Sequence, residues 1–284
     1  MTHPTTAAAI LDSMGRAGER LDHMGACEAG AGNISVSIRQ TPPDLDDFFP
    51  ETSLIDLPVA VPGLAGWTFF VTGSGCRLRD VREAPRENVS VVIVQEGGTR
   101  ATWRTAPERA YTKPTSEFNS HLGVHEDQVT RRGLDFQAVI HAQPPYLVSL
   151  SHIPGLRTQH DFNHAILRWE PETIVQVPAG IKVLDFMVPG GEELGAANVA
   201  GLRDHQIVLW SKHGIMVRSD DSPLAAVDKV EYVETGAMYE YRNRLLTGAV
   251  AAAGLDRAQT GEGLLESESK RVIEAFGVDT DLFG

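Results

Sequence analysis

The sequence predicts an α/β fold around a sheet that is not purely parallel. Two patterns carry this. Helix-period and strand-period segments interleave along the whole 284-residue chain, the mark of layered α/β packing. Val89 to Val94, a β-branched run, is followed by Gly97-Gly98 and then by Thr99 to Thr105. That strand–turn–strand order folds back as a hairpin, so part of the sheet is antiparallel.

Thr6 to Met24 is expected as the first helix, with Thr5 or Thr6 as its cap, an apolar stripe of Ile10, Leu11, Met14, Leu21 and Met24, and Gly25 as its stop. Residues 28–33 form a small-residue loop before Ile34 to Ile38, whose alternation predicts a half-buried strand. Residues 41–66 hold several prolines and acids and little periodicity, and read as a long surface excursion. Thr68 to Val71 is a strand, closed by the tight turn Thr72-Gly73-Ser74-Gly75. Pro114-Thr115-Ser116-Glu117 opens a helix to about Arg132, with Thr115 or Ser116 as its cap. Gln137 to Ile140 is a short buried strand. Pro144-Pro145 stops it and starts a helix to about His152, since proline is tolerated in a first helical turn. Residues 153–170 carry no readable motif. Thr173 to Val177 and Ile181 to Leu184 read as strands. The turn Met187 to Gly191 precedes a helix from about Glu192 to Asp204. Ile207 to Trp210 is a buried strand and Ile215 to Arg218 continues extended. Ser222-Pro223 starts a long helix to about Leu246, residues 249–263 are loose, and a last helix spans about Leu264 to Phe276.

Composition narrows the function. The net charge of −13 argues against nucleic-acid and anionic-membrane surfaces. No apolar run reaches the roughly 18 residues of a membrane-spanning helix, and Met1-Thr2-His3-Pro4-Thr5 lacks the features of a signal peptide. Two cysteines, Cys27 and Cys76, make no disulfide framework and fit a reducing, cytoplasmic location. An anionic substrate therefore needs a local pocket of donors against the global field.

Several segments supply such chemistry. The turn Thr72 to Gly75 exposes backbone N–H groups and hydroxyls suited to a phosphate, and Thr115-Ser116 adds hydroxyls at the positive end of a helix. Each is also an ordinary turn or cap. His141 ends a buried strand, as does His213, and two strand-end histidines are a pattern for metal ligands, though each alone also fits a structural role. Gln143, two residues after His141, aims the same way if the chain stays extended. Glu117, in a first helical turn, compensates the helix dipole or, facing a cleft, transfers a proton. Arg77, Arg79 and Lys212 lie near these motifs or on solvated surface.

In their order and spacing, Gly32-Asn33-Ile34-Ser35, Phe69 to Gly75, Pro114 to Glu117, Val139-Ile140-His141, Met187 to Gly190 and Val208 to Gly214 resemble the class II aldolase/adducin superfamily, most closely its rhamnulose-1-phosphate aldolase branch. The resemblance implies a three-layer α/β/α fold with a central, mostly antiparallel sheet. It implies one domain over 1–284, with a core of about 10–245 and a C-terminal helical extension of about 249–284, assembled as a tetramer with sites between subunits. It implies a metal-dependent lyase that cleaves a phosphorylated ketose, such as rhamnulose or fuculose 1-phosphate, to dihydroxyacetone phosphate and an aldehyde. By resemblance His141 and His213 are metal ligands, Glu117 is the base, and Asn33, Ser74, Gly75, Thr115 and Ser116 hold the phosphate. Glu172 aligns with an acid that reaches a neighbouring subunit's site, with Glu170 as its competitor. The implied cofactor is a divalent metal, zinc first.

One position departs from the family's pattern. Gln143 stands where a middle histidine is expected. A neutral oxygen is a poorer zinc donor than imidazole. Three readings stay open: Gln143 ligates, with manganese or magnesium as alternatives to zinc; water or a carboxylate completes the shell; or the site is lost, leaving an adducin-like oligomeric binding module. A sugar-phosphate epimerase or a dehydratase on the same scaffold are the other enzyme alternatives.

Overall fold

The computed structural model describes residues 3–256, 260–280 and 282. Among them nine strands form one sheet: β1 (Asn33–Ile38), β2 (Glu51–Asp56), β3 (Thr68–Thr72), β4 (Val89–Val94), β5 (Arg100–Thr105), β6 (Phe136–Ala142), β7 (Ile181–Leu184), β8 (Ile207–Trp210) and β9 (Gly214–Ser219), in the order β2-β5-β4-β3-β1-β6-β9-β8-β7. Every neighbouring pair is antiparallel except β7 with β8. The α-helices are α1 (Ala7–His23), α2 (Leu45–Phe48), α3 (Pro85–Asn88), α4 (Phe118–Arg132), α5 (Pro145–Ser151), α6 (Gln159–Ile166), α7 (Pro171–Gln176), α8 (Glu192–Asp204), α9 (Pro223–Ala252) and α10 (Glu266–Phe276).

Strand alternation sorts the side chains into two faces. Ile34, Val36, Ala138, Ile140, Leu209, Ile215 and Val217 pack with α1, α5, α6, α7 and α9 in the main core. The opposite face carries Val71, Val92, Val139, Val208 and Met216, covered by α4 and α8. The result is the three-layer α/β/α arrangement with a mostly antiparallel sheet that the family resemblance implies. Burial of each Val, Leu, Ile or Phe on these faces contributes roughly 1.5–3 kcal/mol.

Local signals explain most boundaries. The Thr6 hydroxyl accepts from Ala9 N at 3.3 Å and starts α1. Ser222 accepts from Ala225 N at 3.0 Å and Pro223 occupies the first turn of α9. Gly133, at φ 65°, closes α4 in a left-handed conformation that glycine adopts without strain.

The departures have physical causes. The surface excursion at 41–66 contains α2 and the edge strand β2, which among the described residues pairs only with β5 and is largely exposed. Residues Thr173 to Val177 are not a strand: Pro171 opens α7 there, and Thr173 and Ile174 are buried from a helix. The unread stretch 153–170 contains α6, capped by the Thr158 hydroxyl on Asp161 N. β1 is buried on both faces rather than half-buried, because α4 covers its polar side. α9 runs on to Ala252, so the start of the segment expected to be loose is helical; residues 257–259 of it lie outside the described residues, as do Met1 and Thr2.

Candidate active site

β6 reaches Ala142, so His141 sits within the strand rather than just beyond it. Its cross-strand neighbours are Asn33 on β1 and Met216 on β9. His141 and Asn33 therefore share the face covered by α4. On that helix the cap position is Glu117, one or two residues later than expected, and it is buried. Thr115 lies just before it, its hydroxyl accepting from Glu117 N at 3.4 Å. His213 comes from the turn between β8 and β9. Lys212 takes φ 66° there, and its N–H donates to the Ser151 hydroxyl at 2.8 Å. Gly214 follows, and a Cβ on it would stand 2.8 Å from His141 Cε1 and 2.5 Å from the Ala142 carbonyl oxygen. Only glycine lets the turn approach the strand this closely.

Glu117, His141 and His213 converge. Glu117 Oε2 lies 3.7 Å from His141 Nε2, and Oε1 lies 3.9 Å from His213 Nε2. The potential ligand atoms of the three lie within 4.8 Å of one another. These separations exceed hydrogen-bond reach. His141 Nδ1 donates to the Ile215 carbonyl at 2.9 Å, which leaves Nε2 as the lone-pair nitrogen facing Glu117. His213 Nδ1 is buried without a hydrogen-bond partner among the described residues. Burial, then the nearby His141, lowers the His213 pKa from its ordinary value, against the raising effect of Glu117. A neutral imidazole is the ligand form. Trp210 stacks on His141 at 4.7 Å between ring centroids, and its indole N–H donates to Asn198 Oδ1 at 2.9 Å. Two imidazole nitrogens and a carboxylate at these separations suit a divalent metal with an open coordination position.

The pocket is about 120 Å³ and brings together Asn33, Gly75, Thr115, Ser116 and Gln143 around that triad. The isolated bridge between Gly73 and Pro114 holds the glycine turn against Thr115. Ser74 is half-buried beside this pocket without lining it, and its N–H is spent on the Lys113 carbonyl at 3.0 Å. Glu172 is exposed on α7, outside this pocket. Glu170, its competitor, is half-buried, and burial and then Glu172 raise its pKa. Arg79 pairs with Asp22 at 3.0 Å, which removes it from the free donors.

Behind the pocket is a chain of polar groups that sequence reasoning missed. Asn33 Nδ2 donates to Glu117 Oε2 at 2.9 Å, so Asn33 Oδ1 faces His121 Nε2 and accepts from it. His121 Nδ1 then accepts from the Ser35 hydroxyl at 2.7 Å. The Ser35 oxygen accepts from His125 Nε2 at 2.8 Å, and His125 Nδ1 accepts from the Ser37 hydroxyl at 2.9 Å. Every link donates toward Glu117, provided both imidazoles are neutral. Burial enforces this: it drives His121 well below its ordinary value and His125 down to about 3. The readable signals were Ser35 and Ser37 on one strand face and His121 and His125 one turn apart on α4.

These features agree with what the chain is similar to. It belongs to the class II aldolase and adducin family: residues 12–241 match the Class II Aldolase and Adducin N-terminal domain. Curated relatives include a rhamnulose-1-phosphate aldolase of Bacteroides thetaiotaomicron, 28% identical over 215 residues, 75% of this chain and 78% of that one. The rhamnulose-1-phosphate aldolase of Yersinia pestis (strain Pestoides F) is 29% identical over 210 residues, 72% of this chain and 75% of its own. Among solved structures, a sugar-phosphate aldolase from Thermotoga maritima superposes with TM-score 0.71 at 25% identity, covering 88% of this chain and 97% of that one. The l-fuculose-1-phosphate aldolase from Thermus thermophilus shares the fold, with TM-score 0.53 at 23% identity, over 85% of this chain and 97% of that one.

Proposed function

We propose that the chain is a metal-dependent aldolase that cleaves a phosphorylated ketose, such as rhamnulose or fuculose 1-phosphate, to dihydroxyacetone phosphate and an aldehyde. The observation that carries the reading is the convergence of Glu117, His141 and His213 in one pocket. His141 and His213 hold the cation, with Gln143 beside them; zinc is the first expectation and manganese or magnesium follow from the amide oxygen. A divalent cation there supplies Lewis-acid stabilisation of the negative charge that develops on the ketose oxygens.

Cleavage breaks the bond between C3 and C4. The C4 hydroxyl gives its proton to the Glu117 carboxylate and becomes the aldehyde, and the bonding electrons pass to C3 as an enediolate. Glu117 returns a proton to C3, and in the synthetic direction it removes that proton. The phosphate sits against Gly75, Thr115 and Ser116, with Ser74 on the same turn. Held away from the reacting carbons, it contributes binding energy that orients them. Asn33, already bonded to Glu117, contributes to both the phosphate and the base. Glu172, exposed on α7, serves the site of a neighbouring subunit in a homotetramer. The reading takes the chain as one domain acting in the cytoplasm. No helix among the described residues is long and apolar enough to cross a membrane.

The test is release of dihydroxyacetone phosphate, followed by coupled NADH oxidation, from rhamnulose 1-phosphate and fuculose 1-phosphate. Release that stops on chelation and on Glu117→Gln supports the proposal. No release from either sugar with zinc or manganese supplied sinks it.

A further inference from the structure

Gln143, the residue that departs from the histidine pattern, has a partner of its own. With the amide turned so that its nitrogen faces Glu28, it donates to Glu28 Oε1 at 2.6 Å and Oε2 at 3.2 Å. Hydrogen bonding requires this orientation, because a carboxylate only accepts. The Gln143 backbone N–H is tied to the same loop, donating to the Ala26 carbonyl at 2.7 Å. Main chain and side chain of Gln143 are thus both anchored on the segment that follows α1.

Two cavities meet at this residue. The inner pocket contains Glu117, His141 and His213 with Gln143. An outer cleft of about 470 Å³ contains Glu28 and Lys212, again with Gln143 and His213. Glu28 fixes the nitrogen end of the amide from the outer cleft. The oxygen end is what remains of the side chain that lines the inner pocket.

We propose that Glu28 is a positioning residue for the metal centre: it holds the Gln143 amide so that its oxygen is the atom left for a divalent cation. The inference rests on the metal reading given above. A charge-assisted hydrogen bond is stronger than a neutral one. Electron density drawn toward the amide oxygen makes that neutral atom a better donor, as outer carboxylates do for ligating imidazoles. The Glu28–Gln143 pair thereby does the work of one imidazole, with an oxygen in place of a nitrogen. That exchange moves the site's preference toward harder cations such as Mn²⁺ relative to a site with histidine at this position.

The experiment follows the metal rather than turnover. Metal-free full-length protein is titrated with Zn²⁺ and with Mn²⁺ against a chelator of known affinity. Glu28→Gln and Glu28→Ala each weaken binding, by roughly 10- to 100-fold. Glu28 is exposed, so the melting temperature of the metal-free protein stays unchanged. In a Gln143→Ala background, Glu28→Ala changes affinity by less than about twofold, because the pair is already broken. In the Co²⁺-loaded protein the visible absorption of Glu28→Ala moves in the direction of Gln143→Ala. If both Glu28 variants bind metal as the unaltered protein does while His141→Ala loses it, the pairing is overturned and the metal centre stands. An equal loss for Glu28→Ala with and without Gln143 also overturns it. Metal retained in His141→Ala overturns the metal reading itself, and the pairing with it.

Discussion

Replacing Ser35 with alanine tests the buried chain behind Glu117. The Ser35 hydroxyl donates to His121 Nδ1 and accepts from His125 Nε2, and Ser35, His121 and His125 are all fully buried. Its loss leaves one imidazole acceptor and one imidazole donor unpaired. Each unpaired buried group costs roughly 1–3 kcal/mol, so Ser35→Ala is expected to lose about 2–6 kcal/mol of unfolding free energy. Ser37→Ala, which strands His125 Nδ1 and gives up a long 3.5 Å contact to the Gln137 carbonyl oxygen, loses about half as much. Urea denaturation followed by circular dichroism measures both. The reasoning fails if Ser35→Ala costs under about 1 kcal/mol, or if Ser37→Ala costs more. The same chain sets an acid limit. His125 is held down to about 3 from an ordinary 6.5, with burial the leading cause. The folded state therefore binds fewer protons than the unfolded one in that window. The stability is present above about pH 6.5 and is lost as pH falls toward 3, by on the order of 5 kcal/mol from this residue.

Other outcomes follow from single contacts. Gly214→Ala places a methyl group 2.5 Å from the Ala142 carbonyl oxygen and 2.8 Å from His141 Cε1. It is expected to cost about 1–3 kcal/mol by calorimetry and to weaken metal binding by moving the His141 ring. Glu234 accepts from Tyr146 N and Leu147 N, and burial pushes its pKa up to about 7 from 4.5. A carboxyl raised in the fold loses stability as pH rises from 4.5 through 7. Glu234→Gln has no such titration, so the variant should gain on the parent by about 3 kcal/mol between pH 4 and pH 8. Parallel denaturation curves that keep a constant gap over that range would rule this out.

Much of the fold was legible because local signals agreed with burial. Thr6 and Gly25 bracket α1, Ser222-Pro223 opens α9, and Val89 to Val94 is a strand at the expected residues. β2 escaped because an exposed edge strand has no burial to stamp a period on its sequence. α7 escaped because β-branched Thr173, Ile174 and Val175 favour a strand locally, while Pro171 and packing against the main core select a helix. α6 was readable from Thr158 and Asp161 as a cap.

In the site, His141, His213, Glu117, Thr115, Ser116, Gly75 and Asn33 were singled out from motifs at strand ends and turns together with the family resemblance they carry, and they line one pocket. The polar chain was not, because Ser35 and Ser37 alternate with apolar residues as solvent-facing residues do. Their partners His121 and His125 come from a helix distant in sequence, and only the fold closes that contact. The contact between Glu28 and Gln143 was hidden for the same reason: an exposed loop residue carries no periodic signal.

Elemental analysis of protein purified without chelator tests the central claim most directly, with His141→Ala and His213→Ala beside the unaltered chain. The account predicts close to one divalent metal per chain, lost in both variants while their circular dichroism spectra remain folded. A native protein without metal, or metal retained in both variants, would contradict it.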